Sequence, residues 1–233
     1  MFVTGPMDKV YVSPGAKLRP CNLNTENGPI VLGPNSEIME GSSIRGAFTL
    51  GSNSVVKMGA TIYGATSIGA ECKVGGEISN CVIHDYSNKA HHGFIGNSVI
   101  GSWCNLGAGT TSSNLKNNYS EIRVWSKEKE GYENSGRIFC GLIMGDHSKS
   151  AINTTFNTGT VVGAFCNVWG EGIADKHLPS FTWGNRASGE IHQLDKALET
   201  AERVMKRRQV EMTEEMRNVI SDMFSKTESD RKV

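Results

Sequence analysis

An aliphatic side chain recurs at every sixth position along the first part of the chain. The row runs without a break through eight positions: Leu32, Ile38, Ile44, Leu50, Val56, Ile62, Ile68 and Val74. Amphipathic strands alternate with a period of about two residues and helices with a period of about 3.6, so neither element explains the row. A six-residue period is typical of hexapeptide repeats, in which one short strand and one turn form one face of a three-sided coil.

Small residues stand four positions after most of the aliphatic ones. They are Ser36, Ser42, Ser54, Ala60, Thr66 and Cys72, with Phe48 as the exception. In a triangular prism the aliphatic side chains would fill the axis and the small ones would fit the corners, so each coil buries apolar surface only by stacking on its neighbours. We therefore predict an all-β fold: a left-handed parallel β-helix of hexapeptide repeats over about residues 32–168, in a domain that spans residues 1–185.

Two segments depart from this period. The first covers residues 77–96 and the second covers residues 111–141, while the pattern resumes between them at Ile100 and Leu106. Irregular segments on a regular scaffold often carry binding and catalytic residues. We therefore expect the functional residues to lie in these two segments.

The second of these segments is predicted to contain a hairpin. Strand-like runs over residues 122–125 and 137–140 flank a turn-rich centre around Gly131. Two such runs separated by turn residues are the pattern of two antiparallel strands. We therefore predict a hairpin insertion at about residues 115–141.

Helical spacing replaces the hexapeptide period near the end of the chain. Apolar residues recur three and four positions apart in two runs: Leu194, Ala197, Leu198, Ala201 and Met205, and then Met216, Val219, Ile220, Met223 and Phe224. This spacing places each run on one face of an α-helix. We predict a C-terminal helical extension over residues 186–233, made of a pair of α-helices that cover an open end of the prism or a neighbouring subunit.

Charge and cysteine usage narrow the cellular setting. Lysine plus arginine equal aspartate plus glutamate at 24 each, so the overall charge does not favour nucleic acid or an anionic membrane surface as a partner. The chain has no apolar run of about 18 residues and no secretory signal pattern at its start. Its six cysteines lack CxxC spacing, and three of them occupy predicted small corner positions: Cys72, Cys104 and Cys166. We expect a cytoplasmic protein with no nucleic-acid or membrane partner.

Three segments together resemble a known family. They are KAHHGFIG (residues 89–96), IGSWCNLGAGTTSSN (residues 100–114) and MGDHSKSAINTTFNTGTVVG (residues 144–163). They resemble the acetyltransferase half of GlmU-type bifunctional proteins, the UDP-N-acetylglucosamine pyrophosphorylase/glucosamine-1-phosphate N-acetyltransferases. Within that family the segments GLIMGDHSK and PSFTWG resemble a bacterial subgroup of sugar nucleotidyltransferases. The resemblance extends over essentially the whole chain.

The resemblance implies an enzyme that transfers an acetyl group from acetyl-CoA to the amine of an amino-sugar 1-phosphate, such as glucosamine-1-phosphate. The reaction would serve nucleotide-sugar and cell-envelope precursor synthesis. The family implies a homotrimer that binds donor and acceptor between adjacent subunits, and no metal is required for acetyl transfer. Nothing in the sequence matches the GxGTR-like loop of the pyrophosphorylase half, so we expect no uridylyltransferase activity.

By resemblance, His91 is the general base and Glu77, fourteen residues upstream, is a carboxylate that orients or polarises it. A neutral imidazole near pH 7 suits the removal of a proton from an attacking amine. His92 has no family counterpart, and we expect it to be a neighbour only.

Four residues are expected by resemblance to bind the acceptor: Lys57, Phe94, Asn105 and Asn114. Phe94 stands where the family has tyrosine, so a hydroxyl contact is lost. Ser79 stands where the family has a lysine, and Lys89 or Lys116 could supply that charge. The alternative for both lysines is a solvated side chain, and the alternative for both asparagines is a corner residue, because asparagine tolerates the left-handed backbone conformation.

Four further residues are expected by resemblance to line the acetyl-CoA site: Ala108, Ser150, Ile152 and Ala164. The Gly107-Ala108-Gly109 turn would also present backbone N–H groups to the thioester oxygen or to pantetheine. The alternative is that glycine and alanine stand there only because a corner of the prism needs small residues.

The prism fold is compatible with two other functions. A γ-type carbonic anhydrase shares the prism, but the histidines at positions 84, 91, 92, 147, 177 and 192 do not reproduce its fixed ligand spacing. A non-catalytic module of a sugar nucleotidyltransferase, which trimerises and binds a nucleotide sugar, is the stronger rival. The departures at Phe94 and Ser79 favour it.

Overall fold

The computed structural model describes residues 2–231 and contains a triangular prism of parallel strands, three strands to a coil. In chain order the first six coils comprise β1 (Phe2–Thr4), β2 (Val10–Val12), β3 (Lys17–Leu18), β4 (Asn22–Asn24), β5 (Ile30–Leu32), β6 (Glu37–Ile38), β7 (Ser43–Arg45), β8 (Phe48–Leu50), β9 (Val55–Val56), β10 (Thr61–Tyr63), β11 (Thr66–Ile68), β12 (Lys73–Val74), β13 (Glu77–Ser79), β14 (Val82–Ile83), β15 (Asn88–Lys89), β16 (Phe94–Gly96), β17 (Val99–Ile100) and β18 (Asn105–Leu106).

The later coils contain an insertion and end in an antiparallel strand. Their elements are β19 (Thr111–Ser112), β20 (Arg123–Ser126), β21 (Gly131–Asn134), β22 (Ile143–Met144), β23 (Lys149–Ser150), β24 (Thr155–Phe156), β25 (Val161–Val162), β26 (Asn167–Val168), β27 (His177–Leu178), β28 (Thr182–Trp183) and β29 (Glu190–Ile191). The helices are α1 (Leu194–Lys206) and α2 (Glu214–Lys226), with short 3₁₀ turns at Met7–Lys9 and Ser229–Arg231.

The strands form the three faces of the prism. Face A contains β1, β4, β7, β10, β13 and β16, followed by the separate pair β19 and β24. Face B is a nine-stranded sheet from β2 to β27, and face C is a ten-stranded sheet from β3 to β29. Each coil therefore runs from face A through face B to face C, and the corner between faces C and A leads into the next coil.

The predicted fold, a left-handed parallel β-helix followed by two helices, is confirmed. All eight aliphatic residues from Leu32 to Val74 are at most 2% exposed. The corner serines are buried as well, and their hydroxyls donate to backbone carbonyls of the turns, as Ser36 does to Gly33 at 2.7 Å and Ser54 to Gly69 at 2.7 Å. Because a small hydroxyl can satisfy a corner carbonyl without filling space, the pattern of small residues follows from the turn geometry.

The prism begins earlier than the period predicts. β2 pairs in parallel with β5, and β3 pairs with β6, so a full coil precedes Leu32. The corners between faces A and B contain extra residues in this coil and the next, because Val3 and Val12 are nine positions apart, as are Leu23 and Leu32. These residues break the six-residue spacing without breaking the strand pairing.

Residues 77–96 were predicted to interrupt the repeat, and this prediction is wrong. β13 pairs with both β10 and β16, and the segment forms one regular coil. Its inward positions are Ile78, Ile83, Lys89 and Ile95, each at most 1% exposed. The step from Val74 to Ile78 is four residues and the step from Ile78 to Ile83 is five, because two successive corners are shorter than in the preceding coil, and a lysine replaces an aliphatic residue. Both features hide the period.

The insertion contains a hairpin, but not with the predicted second strand. β20 pairs antiparallel with β21, and Trp125 stands opposite Tyr132 with ring centroids 5.3 Å apart in an edge-to-face arrangement. The turn is therefore residues 127–130, and Gly131 begins a strand instead of marking the turn. This aromatic pair favours a tight hairpin, whereas the expected strand at residues 137–140 leads back to the prism.

The two helices do not cover an open end of the prism; they lie along the edge between faces B and C. A column of five rings occupies this edge, one ring per coil, with successive centroids 4.0 to 5.9 Å apart: Tyr86, Trp103, His147, Phe165 and Phe181. Ala197, Ala201 and Ile220 of the helices pack into one cluster with the last two rings. The apolar faces of the helices bury themselves against this column of rings. The last coil, which ends in the antiparallel strand β29, offers no comparable apolar surface.

No helix within residues 2–231 is both long and apolar enough to cross a bilayer.

Candidate functional site

A four-residue turn that carries both neighbouring histidines joins β15 to β16. This turn, residues 90–93, lies at the corner between faces C and A and is called the histidine corner below. Gly109 N donates to His92 O at 2.9 Å, and Asn153 N donates to Ala108 O at 2.7 Å. These ladder bonds place His92, Ala108 and Ile152 at equivalent corner positions of three successive coils.

A cavity of about 340 Å³ lies beside the histidine corner, where the strands of face A begin. Its lining residues are Gly59, Thr61, Gly76, Glu77, His92, Gly93 and Phe94. Glu77 stands between Thr61 and Phe94 in the strand register. The structure therefore brings Glu77, Phe94 and a histidine together, and the histidine that lines this cavity is His92. His91 is exposed on the same turn and is not part of the lining.

The Glu77 carboxylate is held by a tyrosine of the preceding coil. Tyr63 donates its hydroxyl to Glu77 Oε1 at 2.6 Å, and this hydrogen bond raises the pKa of the Tyr63 phenol. The bond fixes one carboxylate oxygen at the edge of the cavity. Sequence reasoning missed Tyr63, although a spacing of fourteen residues is close to one coil and places the two side chains on the same face.

Lys89 lies inside the prism beneath the histidine corner. Its Nζ donates to Gly75 O at 3.1 Å and to His91 O at 2.5 Å, and burial lowers its pKa to about 8. Gly76, at φ +72°, makes room for this ammonium, because a Cβ there would lie 2.9 Å from Nζ and 2.6 Å from His91 O. Lys89 is thus neither a solvated lysine nor a phosphate contact; it anchors the turn from within.

Phe94 and Asn114 meet on face A. A Cβ added at Gly96 would lie 2.5 Å from Phe94 Cζ and 2.6 Å from Asn114 Nδ2, so the ring and the amide share the space over this glycine. Asn114 donates to Asn97 Oδ1 at 2.7 Å, which orients its amide. Two of the residues expected to bind the acceptor therefore lie close together.

Asn105 lies on a different face. It stands on β18 of face C, next to Asn88, and lines a polar cavity there together with residues of α1. Within one chain it cannot reach a ligand that Phe94 and Asn114 contact on face A. Its expected role in acceptor binding therefore requires face C of a neighbouring subunit.

The remaining candidates for the acceptor phosphate differ in position. Lys57 lies at the corner between faces C and A, and its Cβ is 3.1 Å from the position of a Cβ at Gly75. Lys116 is held within the insertion, where its Nζ donates to Glu121 O at 2.5 Å. Ser79, which replaces a family lysine, is 5% exposed and accepts from Asn80 Nδ2 at 3.0 Å. Of the three, only Lys57 lies on the same edge of the prism as the histidine corner, two coils earlier.

The four residues expected to bind acetyl-CoA do not form one surface in a single chain. Ala108 and Ile152 follow His92 along the corner, and Ile152 is 70% exposed. Ser150 is 6% exposed and its hydroxyl lies 2.8 Å from Thr110 Oγ1, so its side chain faces the interior. Ala164 lies at the edge between faces B and C, where it packs against the helices. Ala108 and Ile152 therefore share one edge of the prism, whereas the Ser150 hydroxyl is buried and Ala164 lies on another edge.

The Gly107-Ala108-Gly109 turn keeps one backbone donor available. Gly107 N donates to Ser150 O at 3.0 Å and Gly109 N donates to His92 O at 2.9 Å. Within residues 2–231 no acceptor is bonded to Ala108 N, so this N–H is the one that can meet a ligand oxygen. Within the same residues, no group of three histidine, cysteine or acidic side chains is arranged to hold a metal ion.

Curated relatives confirm the resemblance to GlmU-type proteins over part of the chain. The chain is 31% identical over 102 residues to a bifunctional sugar-1-phosphate nucleotidylyltransferase/acetyltransferase of Sulfurisphaera tokodaii, which is 44% of this chain and 25% of that protein. It is 30% identical over 107 residues to the bifunctional protein GlmU of Methanocaldococcus jannaschii, which is 46% of this chain and 26% of that protein. The chain thus spans about a quarter of the length of these relatives.

Both relatives are archaeal, and the bacterial subgroup expected from the sequence stays a prediction. No protein-family model matches the chain. Among solved structures, the polysialic acid O-acetyltransferase OatWY shares 17% identity with a TM-score of 0.43 over 82% of this chain and 87% of that one. An Arabidopsis UDP-N-acetylglucosamine acyltransferase shares 15% identity with a TM-score of 0.38 over 98% of this chain and 91% of that one.

Proposed function

We propose that this chain is an N-acetyltransferase that moves the acetyl group of acetyl-CoA to the amine of an amino-sugar 1-phosphate, glucosamine-1-phosphate or a close relative. The cavity at the histidine corner carries the proposal. There a histidine and a carboxylate lie in the coil next to the free N–H of Ala108, in a chain that is similar to GlmU-type proteins. The product would feed nucleotide-sugar synthesis for the cell envelope.

The chemistry needs three groups, and the corner offers each. The amine attacks the thioester carbonyl, a histidine takes the ammonium proton, and the carbonyl oxygen gains negative charge that the Ala108 N–H stabilises. The C–S bond then breaks, and coenzyme A leaves as a thiolate that takes up a proton. Glu77, held by Tyr63, would orient the histidine or bind the acceptor amine in its charged form.

The identity of the base is a choice between two neighbours. The resemblance assigns this role to His91, whereas the cavity that contains Glu77 is lined by His92. Both histidines are exposed, and His91, which does not line the cavity, would act on an acceptor held across a subunit boundary. His92 would act on an acceptor held in the cavity of its own chain. Single substitutions separate these arrangements.

A homotrimer fits the distribution of the other residues. Asn105 lies on face C and Ala164 lies at the edge between faces B and C, away from the histidine corner. A site that uses them together with Phe94 and Asn114 is incomplete in one chain. We therefore propose a cytoplasmic trimer with donor and acceptor between adjacent prisms, and a transfer reaction that needs no metal.

A non-catalytic nucleotide-sugar-binding module is the second candidate, because Phe94 lacks the hydroxyl of the family tyrosine and Ser79 is buried where the family has a lysine. A thiol-release assay with acetyl-CoA and a panel of amino-sugar 1-phosphates separates the two. Release of coenzyme A that depends on glucosamine-1-phosphate or galactosamine-1-phosphate supports the transferase. Binding of a UDP-sugar without any release of coenzyme A supports the module and overturns the transferase.

A further inference from the structure

A second polar cavity lies on face C, away from the histidine corner. Its volume is about 250 Å³, and it lies between the end of α1 and the strands β12, β15, β18 and β23. Its polar lining consists of six side chains: Lys73, Asn88, Asn105, Lys149, Arg207 and Arg208. We call this set the basic groove.

The basic groove carries more positively charged side chains than its ion pairs neutralise. Four of its side chains are cations, while the chain as a whole has a net charge of zero. Within residues 2–231 the groove makes one ion pair, between Arg208 and Glu71 at 3.5 Å. The neighbouring carboxylates of Asp85 and Asp146 each accept a backbone N–H instead. Lys73 and Arg207 make no ion pair with any residue in the described range 2–231. Four cations that share one ion pair repel one another, and an anion in the groove would offset that repulsion.

The groove is built into the fold, unlike a chance grouping of surface lysines. Lys149 is largely buried, and this burial lowers the pKa of its ammonium. Its Nζ donates to His147 O at 2.9 Å, which uses one of three donors. Arg208, which follows α1, is held against the prism because its guanidinium donates to Asn88 Oδ1 at 3.3 Å. The strand register sets Lys73, Asn88, Asn105 and Lys149 in one line along face C.

An aromatic wall borders the same cavity. Tyr86 and Trp103 lie on its lining, and their rings are stacked 4.0 Å apart with planes 6° from parallel. This wall closes one side of the groove to water. Charged donors around a partly closed space bind oxyanions more strongly than the same donors in open solvent.

From this arrangement we propose that the basic groove is a binding site for a phosphoryl group, as a phosphate monoester or diphosphate, separate from the cavity at the histidine corner of the same chain. Guanidinium and ammonium groups would contact the phosphoryl oxygens, and the amides of Asn88 and Asn105 would complete the set of donors. Because Arg207 and Arg208 directly follow the end of α1 and the prism supplies the other groups, such a ligand would hold the end of the helix against face C.

Isothermal titration of the full chain with inorganic pyrophosphate tests the proposal. The wild-type chain is expected to bind one pyrophosphate per chain, with an affinity that falls as salt is added. The double variant Lys73→Gln/Arg207→Gln removes two exposed cations and leaves the helix contacts of Arg208 in place, so its melting temperature should match the wild type. Its affinity should be weaker by about tenfold or more.

Lys17→Gln is the matched control, because Lys17 is an exposed lysine on the same face, in β3. It should bind pyrophosphate within about twofold of the wild type, since each charged hydrogen bond accounts for a larger change. The absence of binding by the wild type at millimolar pyrophosphate would overturn the proposal. So would equal binding by wild type and double variant, or an equal loss in Lys17→Gln. Displacement of pyrophosphate by glucosamine-1-phosphate, with a matching rise in its KM in the double variant, would also overturn a separate site, because the groove would then belong to the acceptor site.

Discussion

The ammonium of Lys89 lies inside the prism, 2.5 Å from the carbonyl oxygen of His91. It occupies a position in the inward row that is aliphatic in the coils on either side, at Val74 and Leu106. A charged group inside a β-helix is costly unless its donors are satisfied. Here Gly75 O and His91 O accept two of its three N–H groups, so the core and the histidine corner depend on each other.

The charge of Lys89 should make the stability of the protein depend on pH. Burial lowers its pKa from 10.5 to about 8. Between these values the unfolded chain keeps the proton that the folded chain has lost, so this residue's contribution to stability rises with pH through that window and is constant below it. Relative to Lys89→Met, the wild-type free energy of unfolding should gain about 3 kcal/mol between about pH 8 and 10.5. Urea denaturation at a series of pH values measures the difference, and a flat difference would contradict the buried ammonium.

His147 should add a dependence on pH in the acid range. Its ring is stacked between Trp103 and Phe165, and burial lowers its pKa to about 4. The unfolded chain binds a proton near pH 6.5 that the folded chain excludes, so stability is present above that pH and is lost as pH falls toward 4.

The variant His147→Phe should remove this loss, which amounts to about 3 kcal/mol. Phenylalanine is suitable because Phe165 and Phe181 occupy the same corner position with similar left-handed backbone angles, φ 57° and 64° against 58° for His147. Thermal unfolding at pH 7 and pH 4.5 compares the two proteins. An equal loss of stability in both proteins would show that the folded chain binds a proton at His147 as readily as the unfolded chain does.

Truncation of Asn114 should weaken acceptor binding selectively. Its amide lies beside Phe94 on face A and is oriented by Asn97. Loss of a hydrogen bond to a sugar hydroxyl costs about 1–3 kcal/mol, so Asn114→Ala should raise the KM for the amino sugar about fivefold or more and leave the KM for acetyl-CoA unchanged. Asn105→Ala should behave alike if face C of a neighbour completes the site. A lower melting temperature with both KM values unchanged would make either asparagine a corner residue.

The protein should be a trimer at micromolar concentration. The residues expected to bind donor and acceptor lie on separate surfaces of one prism, as Asn105 and Asn114 do on faces C and A. Equilibrium sedimentation gives the mass directly, and three chains of 25.2 kDa are expected. A monomer would leave Asn105 and Ala164 outside the site.

The sequence predicts the prism well from Leu32 to Val74, because every inward position there is aliphatic and the six-residue period is unbroken. The prediction fails at residues 77–96 because two successive shortened corners shift the frame and Lys89 replaces an aliphatic residue. The position of α1 and α2 is not readable either. A helical period shows which face of a helix is apolar, but the column of rings that receives it, from Tyr86 to Phe181, exists only after the coils are stacked.

The site is partly readable from the sequence. Glu77 and Phe94 are close in the fold because they stand one coil apart on the same face. His92 joins them because it stands two residues before Phe94. Asn105 and Asn114 are nine residues apart, and six residues make one face, so they belong to two different faces. The role of Tyr63 is not predicted from the sequence, because its hydrogen bond to Glu77 joins two coils and a repeat pattern does not show which side chains of neighbouring coils are paired. Which of two adjacent histidines enters the cavity depends on the length of one corner turn, and a repeat pattern does not fix that length.

Mass-spectrometric detection of the acetylated sugar phosphate tests the central claim most directly. The wild-type protein, acetyl-CoA and glucosamine-1-phosphate or a related amino-sugar 1-phosphate should yield the N-acetylated product in a 1:1 ratio with free coenzyme A. Of His91→Ala and His92→Ala, one should lower turnover about a hundredfold or more, the usual cost of losing a general base, and the other should have little effect. Absence of product with every amino-sugar phosphate, or equal rates in wild type and both variants, would contradict acetyl transfer at the histidine corner.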